Sequence, residues 1–311
     1  MSYKTETQQV SAQQLNSNFV RKLEEGRVKE ASVEGSAFIR SKLRQESFAR
    51  EILTPVMLQD DEIDRDEYTD LPKKIVEKEP DSTATFVPFK GTGKRTWFKG
   101  PRYSVYFGKT ESQRFTKSKF ELMTYQNDIR KILSDNSVKD MADQEDTRFL
   151  ETVDAACTAA SSAYDAAADT NALGGYGAVN ATHIASLIKK MVAKKIPVGK
   201  LLMAKEVYYD VLKLTAATVG GDVASRHYDN GVEEEEKLWG IPVVTTIKND
   251  ILSVKKLYLF APENYLGNFY LLQDATLFIK QEADIIEFWS YAAPGIGIGN
   301  VNGCSSLQIL A

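Results

Sequence analysis

The segment from Thr83 to Phe107 constrains this chain more than any other. Thr83-Ala-Thr-Phe-Val-Pro-Phe89 and Tyr103-Ser-Val-Tyr-Phe107 are rich in β-branched and aromatic residues. Between them, Lys90-Gly-Thr-Gly-Lys-Arg-Thr-Trp-Phe-Lys-Gly-Pro101 carries turn-formers at both ends. The pattern predicts a long two-stranded hairpin with a glycine-rich centre. An isolated hairpin is marginal in water. One that displays Phe86, Phe89, Trp97, Phe98, Tyr103 and Tyr106 needs a partner surface, which points to assembly.

Charge sharpens the choice of partner. From Lys73 to Lys119 twelve basic residues face four acidic ones, while the run Asp60–Asp70 just before it is acidic and Glu233–Glu236 adds more acid. Lys94 and Arg95, interleaved with Trp97 and Phe98, suit either docking on an oppositely charged patch of another copy or a grip on nucleic acid. The whole chain holds 39 basic and 43 acidic residues, a net charge of −4. A general nucleic-acid binder shows a basic excess because it neutralises phosphates, so docking between copies is favoured. The spacing Asp60, Glu62, Asp64, Asp66 lacks the glycine turn and terminal glutamate of a calcium loop. It reads as a solvated or interface-facing segment, with no metal.

The rest of the chain supplies the body. Leu15, Phe19 and Leu23 share a helical face after the capping-box spacing Ser11/Gln14, and Phe38, Ile39, Leu43, Phe48 and Ile52 form a second thin stripe. Such stripes build no core alone and need a surface to lie on, in this chain or on a neighbour. Residues 1–70 therefore read as an arm. A long helix is predicted from Asn127 to Ala160, with Ile129, Leu133, Met141, Phe149, Val153 and Cys157 near one face; the charges between Asp140 and Arg148 suggest that it is only partly covered. Helices at Thr182–Lys194 and Lys205–Leu214 follow, among strands at Lys200–Met203, Trp239–Thr246, Lys256–Phe260, Ala275–Lys280, Ile285–Tyr291 and Cys304–Leu310. Short strands and helices without strict βαβ repetition make the class α+β. At 311 residues the chain exceeds one minimal domain.

Catalytic chemistry finds little footing. His183 and His227 are the only histidines, and neither lies in a nucleophile motif. Cys157 and Cys304 are too few for a disulfide framework and read as reduced thiols. Gly91-Thr-Gly-Lys94 lacks the spacing of a phosphate loop, and Gly295-Ile-Gly-Ile-Gly299 is not followed by a helix that would receive a pyrophosphate. Both read as turn and close-packing glycines. No enzyme activity and no cofactor are expected. MSYKTETQQV offers no signal-peptide core, and no apolar run approaches the roughly 20 residues of a membrane helix. The expectation is a soluble protein made in the cytoplasm, with no membrane partner.

The order of segments resembles the major capsid proteins of tailed bacteriophages, the Hong Kong 97-type fold. Phe48-Ala-Arg-Glu-Ile-Leu-Thr-Pro55 through Asp60-Asp-Glu-Ile-Asp-Arg65 and Glu79-Pro-Asp81 is similar to the arm and loop entry of one such group, and Trp239-Gly-Ile-Pro-Val-Val244 to an axial-domain strand. The resemblance implies an N-terminal arm (1–70), an extended β-hairpin loop (71–119), a peripheral domain with its spine helix (120–175), an axial domain (176–274) and peripheral return strands (275–311). It implies hexamers and pentamers of the subunit tiling an icosahedral virion head around double-stranded DNA, bound without sequence specificity. Separate scaffolding, portal and decoration proteins would be partners, and assembly would take place in the host cytoplasm. Inter-subunit contacts are expected at Phe19, Phe86, Phe89, Lys94, Arg95, Trp97, Phe98, Tyr103 and Tyr106. An encapsulin-type compartment shell and a nucleic-acid-binding protein that uses the basic hairpin are the alternatives.

Overall fold

The computed structural model describes residues 20–22, 25, 47–78, 84–95, 97, 100–124, 129–167, 179, 181–212 and 237–310. Phe19, Phe98, His227, the 233–236 acidic tract and nearly all of the first 46 residues lie outside the described residues.

From Ser47 the described chain enters a capped turn of helix. Ser47 accepts from the Arg50 amide at the head of α1 (Phe48–Ile52), and the helix buries Phe48, Ala49 and Ile52 in the main core of its own chain. The thin stripe read from the sequence thus ends inside this molecule. Strand β1 (Pro55–Met57) follows. A three-stranded sheet then forms from β2 (Asp64–Arg65), β3 (Pro72–Glu77) and β4 (Arg102–Tyr106).

The extended hairpin is real, but its outgoing strand lies earlier than the sequence suggests. Lys73 pairs with Tyr106 and Glu77 with Arg102, while residues 84–88 are irregular. Pro88, which has no N–H to give a ladder, sits inside the expected strand. Pro72-Lys-Lys-Ile-Val-Glu77 keeps every donor after its first residue, the place where a strand tolerates proline.

After β5 (Thr110–Glu111), β6 (Phe115–Ser118) and α2 (Lys119–Thr124), the helix α3 (Ile129–Ala159) runs 31 residues, about 46 Å at 1.5 Å per residue. It serves two cores. Its first half packs Val138 and Met141 on Ala275, Leu277 and Ala292 of the long hairpin β12 (Asn268–Glu282) and β13 (Ile285–Gly297). Its second half sends Phe149, Val153 and Cys157 into the main core. There Phe149 lies edge-on to Phe48, ring centroids 6.4 Å apart, and 5.6 Å from Phe260. Ile129 and Leu133 have side chains outside the described residues.

The main core sits on a six-stranded sheet in the order β7 (Ala163–Ala167), β14 (Cys304–Leu310), β11 (Lys256–Phe260), β8 (Lys200–Ala204), β10 (Ile241–Thr246) and β9 (Lys237–Leu238). Helix α4 (Ala181–Ala193) covers it with Ile184, Leu187 and Met191, and α5 (Lys205–Leu212) adds Val207 and Tyr208. A second sheet joins β1, β12, β13 and β5, with β6 also paired to β13. The short helix α6 (Glu263–Leu266) leads into β12.

Three further readings are corrected. Trp239 and Gly240 both have positive φ, 52° and 81°, so they form the turn between β9 and β10, and the strand starts at Ile241. The strands read at Ala275–Lys280 and Ile285–Tyr291 are the middle of a hairpin running from Asn268 to Gly297. The expected grouping of 275–311 divides, because β14 pairs with β11 and β7 in the six-stranded sheet while β13 pairs with β12.

Candidate inter-subunit surface

The base of the extended hairpin is fixed to its own subunit by small residues. Val105 is buried because Gly297 leaves room for it: a Cβ at Gly297 would stand 2.4 Å from Val105 Cγ2. A Cβ at Gly295 would stand 2.6 Å from the Phe107 ring. The glycine series 295–299 is therefore a packing groove for β4. Tyr103 lies in it half-buried, accepts from Asn268 Nδ2 at 3.0 Å, and carries Lys78 Nζ 5.3 Å from its ring centroid. Burial pushes its hydroxyl pKa up against the pull of the Asn268 bond.

Much of the positive segment is neutralised at this base. Lys73 meets Asp66 at 2.9 Å and Lys74 meets Glu62 at 3.2 Å, so the acidic run closes on the start of the basic one. The Lys73 ammonium and the Thr69 hydroxyl hold Asp66 down to about 2. Arg102 pairs with Glu77, and Lys109 and Arg114 both pair with Glu111. The last two also cover an aromatic row on the long hairpin: Arg114 lies 5.0 Å from the Trp289 ring and Lys109 4.7 Å from that of Tyr291, which stacks on Phe278 at 4.6 Å.

The outer half of the hairpin is different. Phe86, Phe89 and Trp97 are 101%, 111% and 92% exposed, touching almost nothing of their own chain. Lys90, Lys94 and Arg95 are exposed beside them, without an ion pair among the described residues. Of the contact residues expected from the sequence, these aromatics with Lys94 and Arg95 form one outward-facing tip. Tyr106 is exposed at the base, its hydroxyl 3.5 Å from Asp66, and Tyr103 faces inward. Phe19 and Phe98 lie outside the described residues.

Sequence reasoning missed the junction that ties α1 to the body. Arg50 donates to Glu145 at 2.7 and 2.8 Å and to Asp274 at 3.2 Å, with Arg50 and Glu145 fully enclosed. Next to it, Asp146 accepts from Ser47 Oγ at 2.9 Å, from the Ala49 amide at 3.0 Å and from Lys248 at 2.6 Å. The ladder of β12 and β13 is irregular between Gln273 and Thr276, and that bulge holds Asp274 where it meets Arg50. The stretch Asp140–Arg148 is consequently far better covered than its charge suggests, since its acids find cations distant in sequence. A signal did exist: Glu145 stands four residues after Met141 and four before Phe149, on the apolar stripe itself.

Beside α3, a polar groove of about 810 Å³ is lined by Lys109, Glu111, Asp140, Asp143, Arg148 and Asp250. Among the described residues no group of three or more His, Cys, Asp or Glu is placed to hold a metal ion, and no helix is long and apolar enough to cross a membrane. His183 is half-buried on α4.

A hairpin anchored only at its base, a long helix serving two cores, a β12–β13 sheet and a six-stranded mixed sheet together define the Hong Kong 97-type capsid fold. The virus-like particle protein of Pyrococcus furiosus matches at 13% identity and a TM-score of 0.54, covering 90% of this chain and 100% of that one. The mature capsid of bacteriophage PhiM1 matches at 11% identity and a TM-score of 0.57, covering 85% and 87% of the two chains. A chain of Mycobacterium phage Adephagia matches at 9% identity and a TM-score of 0.57, covering 86% and 91%. No protein-family model matches the sequence, and no curated protein does. At these identities the likeness is one of fold.

Proposed function

We propose that this chain is a major capsid protein, a non-enzymatic subunit that self-assembles into hexamers and pentamers of an icosahedral head enclosing double-stranded DNA. The observation that carries the reading is the tip of the extended hairpin, presented on a capsid fold with Phe86, Phe89 and Trp97 in solvent. Burying an aromatic side chain contributes about 1.5–3 kcal/mol, so three on a neighbour contribute roughly 5–9 kcal/mol. The adjacent Lys94 and Arg95 give the docking direction, because an acidic patch on a second copy attracts them and a basic one repels them. Positive charge used up at the hairpin base and a net charge of −4 suit a wall that does not grip its packaged genome. On this reading the protein resides in the virion, assembles in the host cytoplasm, and meets scaffolding, portal and decoration proteins there.

The likeness to the Pyrococcus furiosus virus-like particle, which the match covers along its whole length, supports a second reading as an encapsulin-type compartment. One experiment addresses both. The chain is expressed alone and with a candidate scaffold, then followed by sedimentation velocity and negative-stain microscopy. Closed shells, or rings of five and six, are expected. Nuclease-protected DNA inside particles from infected cells separates a head from a compartment, which holds protein cargo. A strictly monomeric protein in both conditions overturns the shell reading.

A further inference from the structure

The extended hairpin carries opposite charge at its two ends. Its ladder runs from Lys73–Tyr106 to Glu77–Arg102, and beyond it the Lys78 amide donates to the Pro101 carbonyl at 2.8 Å. The 66–71 turn stands at one end and the aromatic tip at the other, separated by the six residues of β3, about 20 Å of strand. The turn is held in one shape. Asp66 accepts from the Thr69 hydroxyl at 2.8 Å and the Thr69 amide at 3.2 Å, Asp70 sits at a φ of 56°, and its carboxylate takes the Arg65 guanidinium. The apex lifts Glu67 and Tyr68, the latter 93% exposed, away from the body, and Leu71 and Tyr106 are exposed at its foot.

Charge is left over at both ends. Glu62, Asp66 and Asp70 are taken up by Lys74, Lys73 and Arg65 within the base. Asp60, Asp61 and Glu67 are exposed with no ion pair among the described residues, and Asp64 accepts only the Ile75 amide, at 3.4 Å. Lys90, Lys94 and Arg95 are left over in the same way at the tip. The screening length of physiological salt, about 8 Å, is shorter than β3, so the two surpluses do not neutralise each other along one hairpin. Both ends also set loose charge beside exposed rings, Tyr68 and Tyr106 at the base, Phe86, Phe89 and Trp97 at the tip. An apolar patch rimmed by one sign of charge fits a patch of the same make-up and the opposite sign.

Resting on the reading of the chain as a shell subunit, we propose that the hairpin tip of one copy docks on the 60–71 surface of the next. Lys94 and Arg95 meet Asp61, Asp64 and Glu67 there, and Trp97 lies against Tyr68 and Leu71. A turn already fixed by Asp66 and Asp70 loses little freedom on contact, which favours it as the receiving surface. The contact runs head to tail: each copy offers its tip to one neighbour and its turn to another. Every added copy leaves one tip and one turn open until the series closes into a ring. Rings of five and of six are such closures.

Full-length parent chain, half of it labelled with nitrogen-15, is assembled and treated with a carbodiimide, which joins a carboxylate to an amine it touches. Mixed-isotope peptide pairs linking Lys90 or Lys94 to Asp60, Asp61 or Glu67 are expected. Asp61→Lys with Glu67→Lys in one chain, and Lys94→Glu with Arg95→Glu in another, are each expected to lower the yield of rings and shells about tenfold or more at unchanged Tm. Mixed one to one, the two variants recover assembly, because each carries the complement of the other. Strict alternation then permits six-membered rings and forbids five-membered ones, a difference visible in negative stain. Rings from either variant alone, no recovery on mixing, or cross-links that lead from the tip to another surface overturn the docking and leave the shell reading in place. A parent chain that stays monomeric overturns both.

Discussion

Arg50 and Glu145, 95 residues apart in the chain, meet through two parallel hydrogen bonds of 2.7 and 2.8 Å with both side chains shut off from solvent. A guanidinium fork on a carboxylate is the strongest geometry for such a pair, and Asp274 takes up further donors at 3.2 Å. Removing one partner leaves the others buried without compensation. Arg50→Ala is expected to destabilise the subunit by about 3–5 kcal/mol in urea denaturation, and Arg50→Met combined with Glu145→Leu to recover much of that loss. A cost below about 1 kcal/mol for the single change would place the pair among solvated surface bridges.

Glu145 and Asp146 lie side by side at this junction. Burial pushes both carboxyls up from their ordinary range, while Arg50 and Lys248 pull them back. A raised carboxyl pKa means that the native state keeps a proton the unfolded chain has lost. Stability from this source is full below the unfolded value of 4.5 for Glu145 and declines as pH rises through the folded one. Asp66 has the opposite sign: held at about 2, it contributes above its unfolded 3.8 and loses that contribution on acidification. Urea midpoints measured from about pH 4.5 upward are expected to fall less steeply in Glu145→Gln than in the parent. An unchanged slope would assign the pH dependence to other groups.

At the hairpin tip the expectation reverses. Trp97→Ala, or Lys94→Glu with Arg95→Glu, leaves the Tm of the isolated subunit within the range of about 0.5 kcal/mol typical of surface changes. The same variants are expected to lose closed particles in sedimentation and negative-stain microscopy. Normal yields of particles would show that the tip is not a docking element.

Tyr103 separates the two halves of the hairpin. Its ring lies over Gly297 and Gly299 and its hydroxyl accepts from Asn268, so it acts within the subunit. Tyr103→Phe is expected to cost about 0.5–1.5 kcal/mol by losing that hydrogen bond. Tyr103→Ala costs more, in contrast to Trp97→Ala. A Tyr103→Ala subunit of unchanged stability would move this residue to the outer surface.

Gly297→Ala places a methyl group against Val105, where a Cβ would stand 2.4 Å from its γ-carbon. Overpacking of this kind costs about 1–3 kcal/mol. Because the clash lies under β4, limited trypsin digestion at Lys90, Lys94 and Arg95 is expected to quicken along with the loss of stability. Stability lost with no change in cleavage would locate the strain in β13 instead.

The sequence carried the hairpin, the long helix and several of the strands because these depend on local pattern. Ile184, Leu187 and Met191 repeat at helical spacing and are buried, and the helix read at Asn127–Ala160 lies at Ile129–Ala159. The tip was legible for the same reason: aromatics between turn-formers have no local use. What failed depended on distant partners. Glu145 and Asp146 look solvated until Arg50 and Lys248 arrive from opposite ends of the chain. Tyr103 looks like an outward contact until two glycines almost two hundred residues later, Gly297 and Gly299, make room for it. The outgoing hairpin strand was misplaced because aromatic content outweighed the missing donor at Pro88.

The grip of Arg50 on Glu145 and Asp274 also sets a load path. Strand β1 follows α1 directly and lies parallel to β12, so the segment around Arg50 is held by a strand ladder on one side and an ionic rivet on the other. Tension arriving along the residues before Ser47 meets the Ser47 and Ala49 bonds to Asp146 and then the rivet, and passes into the middle of the spine helix and the bulge of the long hairpin. The subunit takes such a pull as shear across the spine helix and the long hairpin, instead of peeling open strand by strand from the sheet edge.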